Sequence, residues 1–207
     1  MRRSLPAVAM IVLVLASAPA AAPSEAAGFG VKVGAAVSNI FGRDVYDQRF
    51  RAGFSYGIFM TYRFGRRFAI QPELLFVMKG SRYVNGEGPD AYRETMSLEY
   101  VELPILAKLS VPLFRGLRTH VFAGPAPAFN IRARVDARFA GEAQEETLDN
   151  VMGFDIGLAA GAGVEIPVGR GAVTFDVRYT AGLTTLSKEP DDDIRNGALT
   201  FLFGYLF

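Results

Sequence analysis

The chain has 207 residues, half of them hydrophobic, with no cysteine, one histidine and a formal net charge of +1. That length suits one domain of ordinary size; the missing cysteines exclude a disulfide framework and a lipoprotein anchor, and the missing basic excess excludes a typical nucleic-acid binder. Beyond the first residues no run reaches the roughly 18 uncharged apolar positions of a membrane-spanning helix.

The chain opens with Arg2 and Arg3, an apolar run from Ala7 to Ala16, and then small residues. This is the three-part pattern of a secretory signal peptide for the Sec route, and the apolar run is too short for a stable anchor. Ser24 and Ala26 occupy the positions a signal peptidase reads, so cleavage is expected after Ala26, with Ala18-Pro19-Ala20 the competing site. Residues 1–26 are therefore read as signal peptide and 27–207 as one domain. Cleavage removes two of 22 basic and one of 21 acidic residues, which leaves twenty of each.

From there the chain alternates by twos, the period of a strand with two different faces. The first such segment is Phe29 to Ser38, with Phe29, Val31, Val33, Ala35 and Val37 on one face. The second, Gly53 to Phe64, puts six large apolar residues opposite Ser55, Gly57, Thr61 and Arg63. The third, Phe68 to about Ser81, sets Leu74, Phe76 and Met78 against Gln71, Glu73 and Lys79, and Pro72 suggests a bulge. The fourth, about Thr95 to Val111, has Leu98 and Tyr100 out of phase with Val101 to Leu109, so one inserted residue is expected near Tyr100. The fifth, Arg118 to Ala137, predicts Val121, Ala123, Phe129, Ile131, Ala133 and Val135 outward, with His120, Asn130, Arg132, Arg134 and Asp136 inward. The sixth spans Val151 to Val168, the seventh Ala172 to Leu183.

The eighth ends in "NGALTFLFGYLF". Leu199, Phe201, Phe203, Tyr205 and Phe207 fall on every second position. A flat aromatic face on a water-soluble edge strand invites aggregation. It makes sense if that face meets lipid and the strand closes a barrel by pairing with the first.

The connections alternate too. Those after the second, fourth and sixth strands are short; those after the first, third, fifth and seventh are long and polar. The fold class expected is all-β: an eight-stranded antiparallel up-and-down transmembrane barrel with short periplasmic turns and long outer loops. The apolar outer face implies contact with outer-membrane lipid and lipopolysaccharide, and the chain is expected to be a monomer that binds no nucleic acid.

The stretches "GFGVKVGAAVSN", "FAIQPELLFVMKG", "LEYVELPILAKL", "VFAGPAPAFNI", "FDIGLAAGAGVEI" and "FDVRYTAGLTTL" resemble the PorT-like outer-membrane β-barrel family of Bacteroidetes and relatives. Their order covers nearly everything from residue 28 onward. The resemblance implies a barrel type and no catalytic residues; the founding member's link to secretion of surface proteins is not carried over. The alternating end on Phe203, Tyr205 and Phe207 is similar to the C-terminal signal read by the barrel-assembly machinery, which the resemblance makes a partner.

An eight-stranded barrel has an interior that side chains fill. The inward set predicted is Lys32, Arg63, Lys79, Lys108, Arg132, Arg134 and Arg178 against Glu73, Glu102, Asp136, Asp155, Glu165 and Asp176. Such groups must be paired, so the expectation is an ion-paired plug, with a narrow channel or an accessory part of a secretion system as alternatives. A soluble ligand-carrying barrel would need the apolar face inward. Lipid-modifying barrel chemistry needs a histidine near the outer leaflet; His120 lies at the opposite end and is expected to rest on a lumenal carboxylate. No enzyme and no cofactor is expected. "GFGVKVG" and "GLAAGAGVE" look like phosphate-binding loops but open no helix, so their glycines are read as room for large neighbours. Glu142, Glu145 and Glu146, with Glu189, Asp191, Asp192 and Asp193, are read as a solvated acidic rim without Ca²⁺-loop spacing.

Overall fold

The structure is a computed structural model that describes residues 27–42, 49–86, 92–113, 116–139, 142–148, 151–185 and 194–207. The strands are β1 (Ala27–Gly42), β2 (Arg49–Phe64), β3 (Phe68–Asn85), β4 (Tyr92–Glu102), β5 (Ile105–Pro112), β6 (Arg118–Phe139), β7 (Glu142–Thr147), β8 (Phe154–Val168), β9 (Gly171–Gly182) and β10 (Ile194–Leu206). Every pairing is antiparallel. β4 and β5 form one staved wall between β3 and β6, interrupted at Leu103 and Pro104; β7 is a side strand on β6. The ring therefore has eight staves, and β1 closes it against β10 through thirteen register positions, Gly30–Leu206 to Gly42–Ile194. The N–H of Phe207 adds one more bond, to Phe29 O at 2.8 Å.

The register can be walked once around the wall. Val37 pairs with Leu199, then Tyr179, Ala160, Ala123, Ala107, Ile70, Tyr62 and finally Ala27. The path returns to β1 ten residues from its start. With ~3.3 Å per residue and ~4.8 Å between strands, that stagger tilts the strands by about 40° and leaves an interior that side chains can fill.

The faces sort as a lipid-embedded barrel demands. Val33, Phe203, Val121, Leu158 and Leu109 are at least half exposed on the outside. Lys32, Glu73, Lys79, Glu102, Lys108, Asp155, Asp176 and Arg178 are buried inside. This overturns the soluble-carrier alternative, which needs the reverse. Short turns join β2 to β3 and β8 to β9, with Gly65 and Gly169 at φ +69° and +63°, the left-handed region open to glycine. Ala27 and Phe207 sit at this same rim, beside Gly65, Arg66 and Arg170.

Two expectations about irregularities fail. Pro72 causes no bulge: Phe59–Glu73 and Tyr62–Ile70 keep one register, and Pro72 still faces Ile105 on β5. The proline costs ladder pairs on one side only. The fourth stave carries no phase-repairing residue near Tyr100 either. Leu98 and Tyr100 stay in phase with Glu102 and all three are buried. The extra residue lies across the ladder: Glu99 faces Arg132 while Tyr100 faces Asn130, which leaves Ile131 of β6 unpaired.

That bulge corrects three predicted lumen residues. Up to Asn130 the even positions of β6 face inward; after Ile131 the odd ones do, and Ala133 is buried against Leu98. Arg132, Arg134 and Asp136 therefore lie outside the barrel. Arg132 stands 3.8 Å from Glu99 with its side chain half exposed, and Arg134 pairs with Glu145 of β7 at 2.5 Å. The physical reason is the surroundings: this part of the wall carries charge outward and a small apolar core inward, the arrangement of a strand in water.

Candidate functional site in the barrel lumen

The lumen is built in layers. At its centre Lys32 of β1 donates to Glu73 Oε1 at 2.9 Å and to Asp176 Oδ2 at 2.6 Å. Arg178 of β9 brings Nη2 to 2.7 Å from the other Glu73 oxygen, an ion pair without hydrogen-bond alignment. Gln71 Nε2 donates to Glu73 at 2.6 Å. His120 Nε2 lies 2.7 Å from Asp176 Oδ1, so the histidine does rest on a lumenal carboxylate. Four staves thus converge on two carboxylates, all but out of reach of water.

Below, towards the short turns, Arg63 Nη2 donates to Glu165 Oε1 at 2.8 Å, and Lys108 stands 3.9 Å from Glu165 Oε2. Lys108 also donates to Gln71 Oε1 at 3.3 Å, which joins this layer to the centre. Beneath it opens a mouth of about 670 Å³ that Arg63, Arg66, Arg118, Glu165 and Arg170 help to line. Above the centre, Lys79 pairs closely with Glu102. Lys79 donates to Asn196 Oδ1 at 3.2 Å, Asn196 Nδ2 to Asp155 Oδ2 at 2.6 Å, and Thr184 Oγ1 to Asp155 Oδ1 at 2.5 Å. A cap of Ile40, Leu98, Tyr100, Ala128 and Ala133, with Met96, Leu148, Val151 and Ile194 against it, covers the long-loop end.

Aromatic rings fill the gaps between these layers. Lys32 Nζ lies 4.7 Å from the Phe59 ring centre, Arg178 lies 5.3 Å from Phe122, and Lys79 lies 5.2 Å from Tyr100. Rings on cations keep a desolvated charge in a favourable field. Glycines opposite make the room: a Cβ on Gly30 would come within 2.4 Å of Phe59, and one on Gly161 within 2.6 Å of Phe122. Both belong to the glycine-rich stretches, which are strand segments here.

The profile of the outer membrane protein beta-barrel domain matches residues 19–188, more than three quarters of the chain. The protein belongs to this outer-membrane β-barrel family. Among solved structures, Neisserial surface protein A aligns over 88% of this chain and 100% of its own, at 18% identity and TM-score 0.50, a likeness of fold. OprG from Pseudomonas aeruginosa aligns over 88% and 96%, at 11% identity and TM-score 0.46. Ail, the attachment invasion locus protein of Yersinia pestis, was solved with the heparin analogue sucrose octasulfate and aligns over 87% and 99%, at 15% identity and TM-score 0.44. Comparison with curated proteins finds no matching sequence.

Of the thirteen charged residues that the sequence placed in the lumen of this outer-membrane barrel, ten are there. Lys32, Arg63, Lys79, Lys108 and Arg178 stand against Glu73, Glu102, Asp155, Glu165 and Asp176, five cations to five anions. Arg132, Arg134 and Asp136 are not. Phe203 and Tyr205 lie on the outer face of β10, and Phe207, exposed, directly follows its end. Phe203 packs on Phe175 with ring centres 4.8 Å apart, and Phe207 stacks on Phe29 at 6.2 Å. The lumenal aromatics Phe59, Phe122 and Tyr100 were missed by sequence reasoning. Their signal was there: each breaks the polar face of its strand, and two stand across from a glycine. Of the acidic outer positions, Glu145 is engaged by Arg134; 189–193 and the side chain of Glu142 lie outside the described residues.

Proposed function

We propose that this outer-membrane barrel is non-enzymatic and non-conducting, a closed scaffold that presents its long loops at the cell surface in a structural or surface-binding role. One observation supports the reading most: Lys32, Arg178, Glu73 and Asp176 meet across the middle of the lumen at 2.6 to 2.9 Å. Ions in transit would have to separate charges that hold one another in a medium of low effective dielectric. The short turns then face the periplasm and the long loops the exterior. Residues 1–26 act as a Sec signal peptide, and 27–207 assemble as one monomeric barrel in contact with lipopolysaccharide. The outward Phe203, Tyr205 and Phe207 serve as the strand end read by the barrel-assembly machinery. Within the family, the Gln71-Pro72-Glu73-Leu74 and Tyr100-Val101-Glu102-Leu103-Pro104 stretches favour kinship with the PorT-like members.

Planar-bilayer recording tests the closed lumen. Wild type is expected to be silent. Arg178→Ala removes the guanidinium stacked on Phe122 and is expected to give discrete current steps. A steady single-channel current from wild type overturns the proposal in favour of a narrow channel.

A further inference from the structure

The bulge at Ile131 does more than empty the lumen of two arginines. It turns Arg132, Arg134 and Arg138 onto the same outer wall as Arg82 of β3 and Arg49 of β2. All but Arg134 are exposed. Within this wall the described acids are Glu99, Asp136 and Glu145, so positive charge is in excess. Arg49 and Arg82 are direct cross-strand partners. Like charges directly opposite on one face destabilise a sheet, and a bound anion would relieve that repulsion.

The height of these arginines identifies the anion. Just beneath them, Phe54, Tyr56 and Phe76 stack with ring centres 5.1 to 6.0 Å apart, and Phe129 packs on Phe154 at 5.2 Å. Such outward aromatics mark the level of the lipid headgroups on a membrane barrel. The wall below is apolar and the wall above is cationic. We infer that the outer wall of β2, β3, β4 and β6 binds the phosphate groups of the phosphorylated glycolipid of the outer leaflet, with Arg49, Arg82, Arg132 and Arg134 as the binding side chains. Guanidinium forks suit phosphate, and each near-surface cation adds to the attraction. Arg134 is held ready by Glu145, and Arg132 is only loosely engaged, 3.8 Å from Glu99. The assignment rests on the orientation proposed above, with the long loops outward.

The test uses the full barrel in detergent micelles and native mass spectrometry, with three probes: phosphorylated lipid A, dephosphorylated lipid A and soluble inositol hexakisphosphate. Wild type is expected to retain phosphorylated lipid A, and the triple variant Arg82→Gln, Arg132→Gln, Arg134→Gln to retain it about tenfold less or weaker. A heat-shifted gel band shows that the variant is folded; should it not fold, wild-type retention is expected to fall as salt is raised. Equal retention of the dephosphorylated form, an unaffected variant or salt-independent retention overturns the inference. Binding of the soluble polyanion as tight as that of lipid A overturns the assignment to lipid. Orientation is read separately, by labelling a Ser187→Cys variant on intact cells with a membrane-impermeant maleimide.

Discussion

Lys32 on β1 reaches Asp176 on β9 by passing over Gly204 of the strand between them. Lys32 and Gly204 are register partners, and a Cβ on Gly204 would come within 3.0 Å of Lys32 Cγ and 2.6 Å of Thr174 Oγ1. The 2.6 Å ion pair therefore ties together two staves that share no backbone bonds, across the seam where the ring closes.

Removing one end of this pair strands a buried charge. Lys32→Met is expected to cost about 3–5 kcal/mol in urea unfolding from lipid vesicles. The double variant Lys32→Met with Asp176→Asn is expected to lose less than the sum of the two singles, because a neutral amide in place of the carboxylate needs no counter-charge. Additive losses would show that the two side chains do not act together.

Gly204→Val blocks the passage of the lysine stem. The variant is expected to lose the heat-shifted band of a closed barrel, with Gly204→Ala in between. A normal band from the valine variant would refute the proposed route of Lys32.

Val177 faces lipid between Phe201 of β10 and Ala162 of β8. Val177→Arg is expected to destabilise the barrel by about 2–4 kcal/mol, the penalty for arginine near the bilayer midplane. Wild-type stability in vesicle unfolding would contradict the lipid-facing assignment of β9.

Arg132→Ala with Arg134→Ala leaves the lumen untouched, because both side chains lie outside it. Bilayer recordings of this double variant are expected to match wild type. Opening of a current would return these arginines to the interior.

The eight staves, their order and the lipid face were legible because alternation has a period of two and the apolar set was long on every strand. Ten of the thirteen lumen charges followed from that alone. The rest was not legible, for a reason visible in "NIRARVDAR". Its alternation is perfect, but alternation separates two faces without saying which one is inside. In the apolar wall, hydrophobic residues face out. Above it water lies outside, so Ala133 turns inward onto Leu98 and the arginines turn out. Leu98 and Tyr100 announced the same inversion by standing out of phase with Val101. Taken alone, that signal points to a bulge in their own strand; the inversion needs none there, and the extra residue sits across the ladder at Ile131. The lumenal rings left a signal, since each breaks the polar face of its strand, but its meaning lies across strands: the space for Phe59 is made by Gly30 on the neighbouring stave, a contact that no single strand displays.

The unpaired residue at Ile131 also sets a rule for length change in this wall. One residue added to a stave within the lipid-facing zone would exchange every lumen and lipid position beyond it, setting carboxylates in hydrocarbon. The same insertion above the aromatic girdle exchanges faces between water and a small apolar cap, which the neighbouring staves can meet with residues of the matching phase. Variation in chain length among such barrels is therefore expected to gather in the upper third, where a slipped register moves the outward arginines and leaves the ion pairs of the lumen intact.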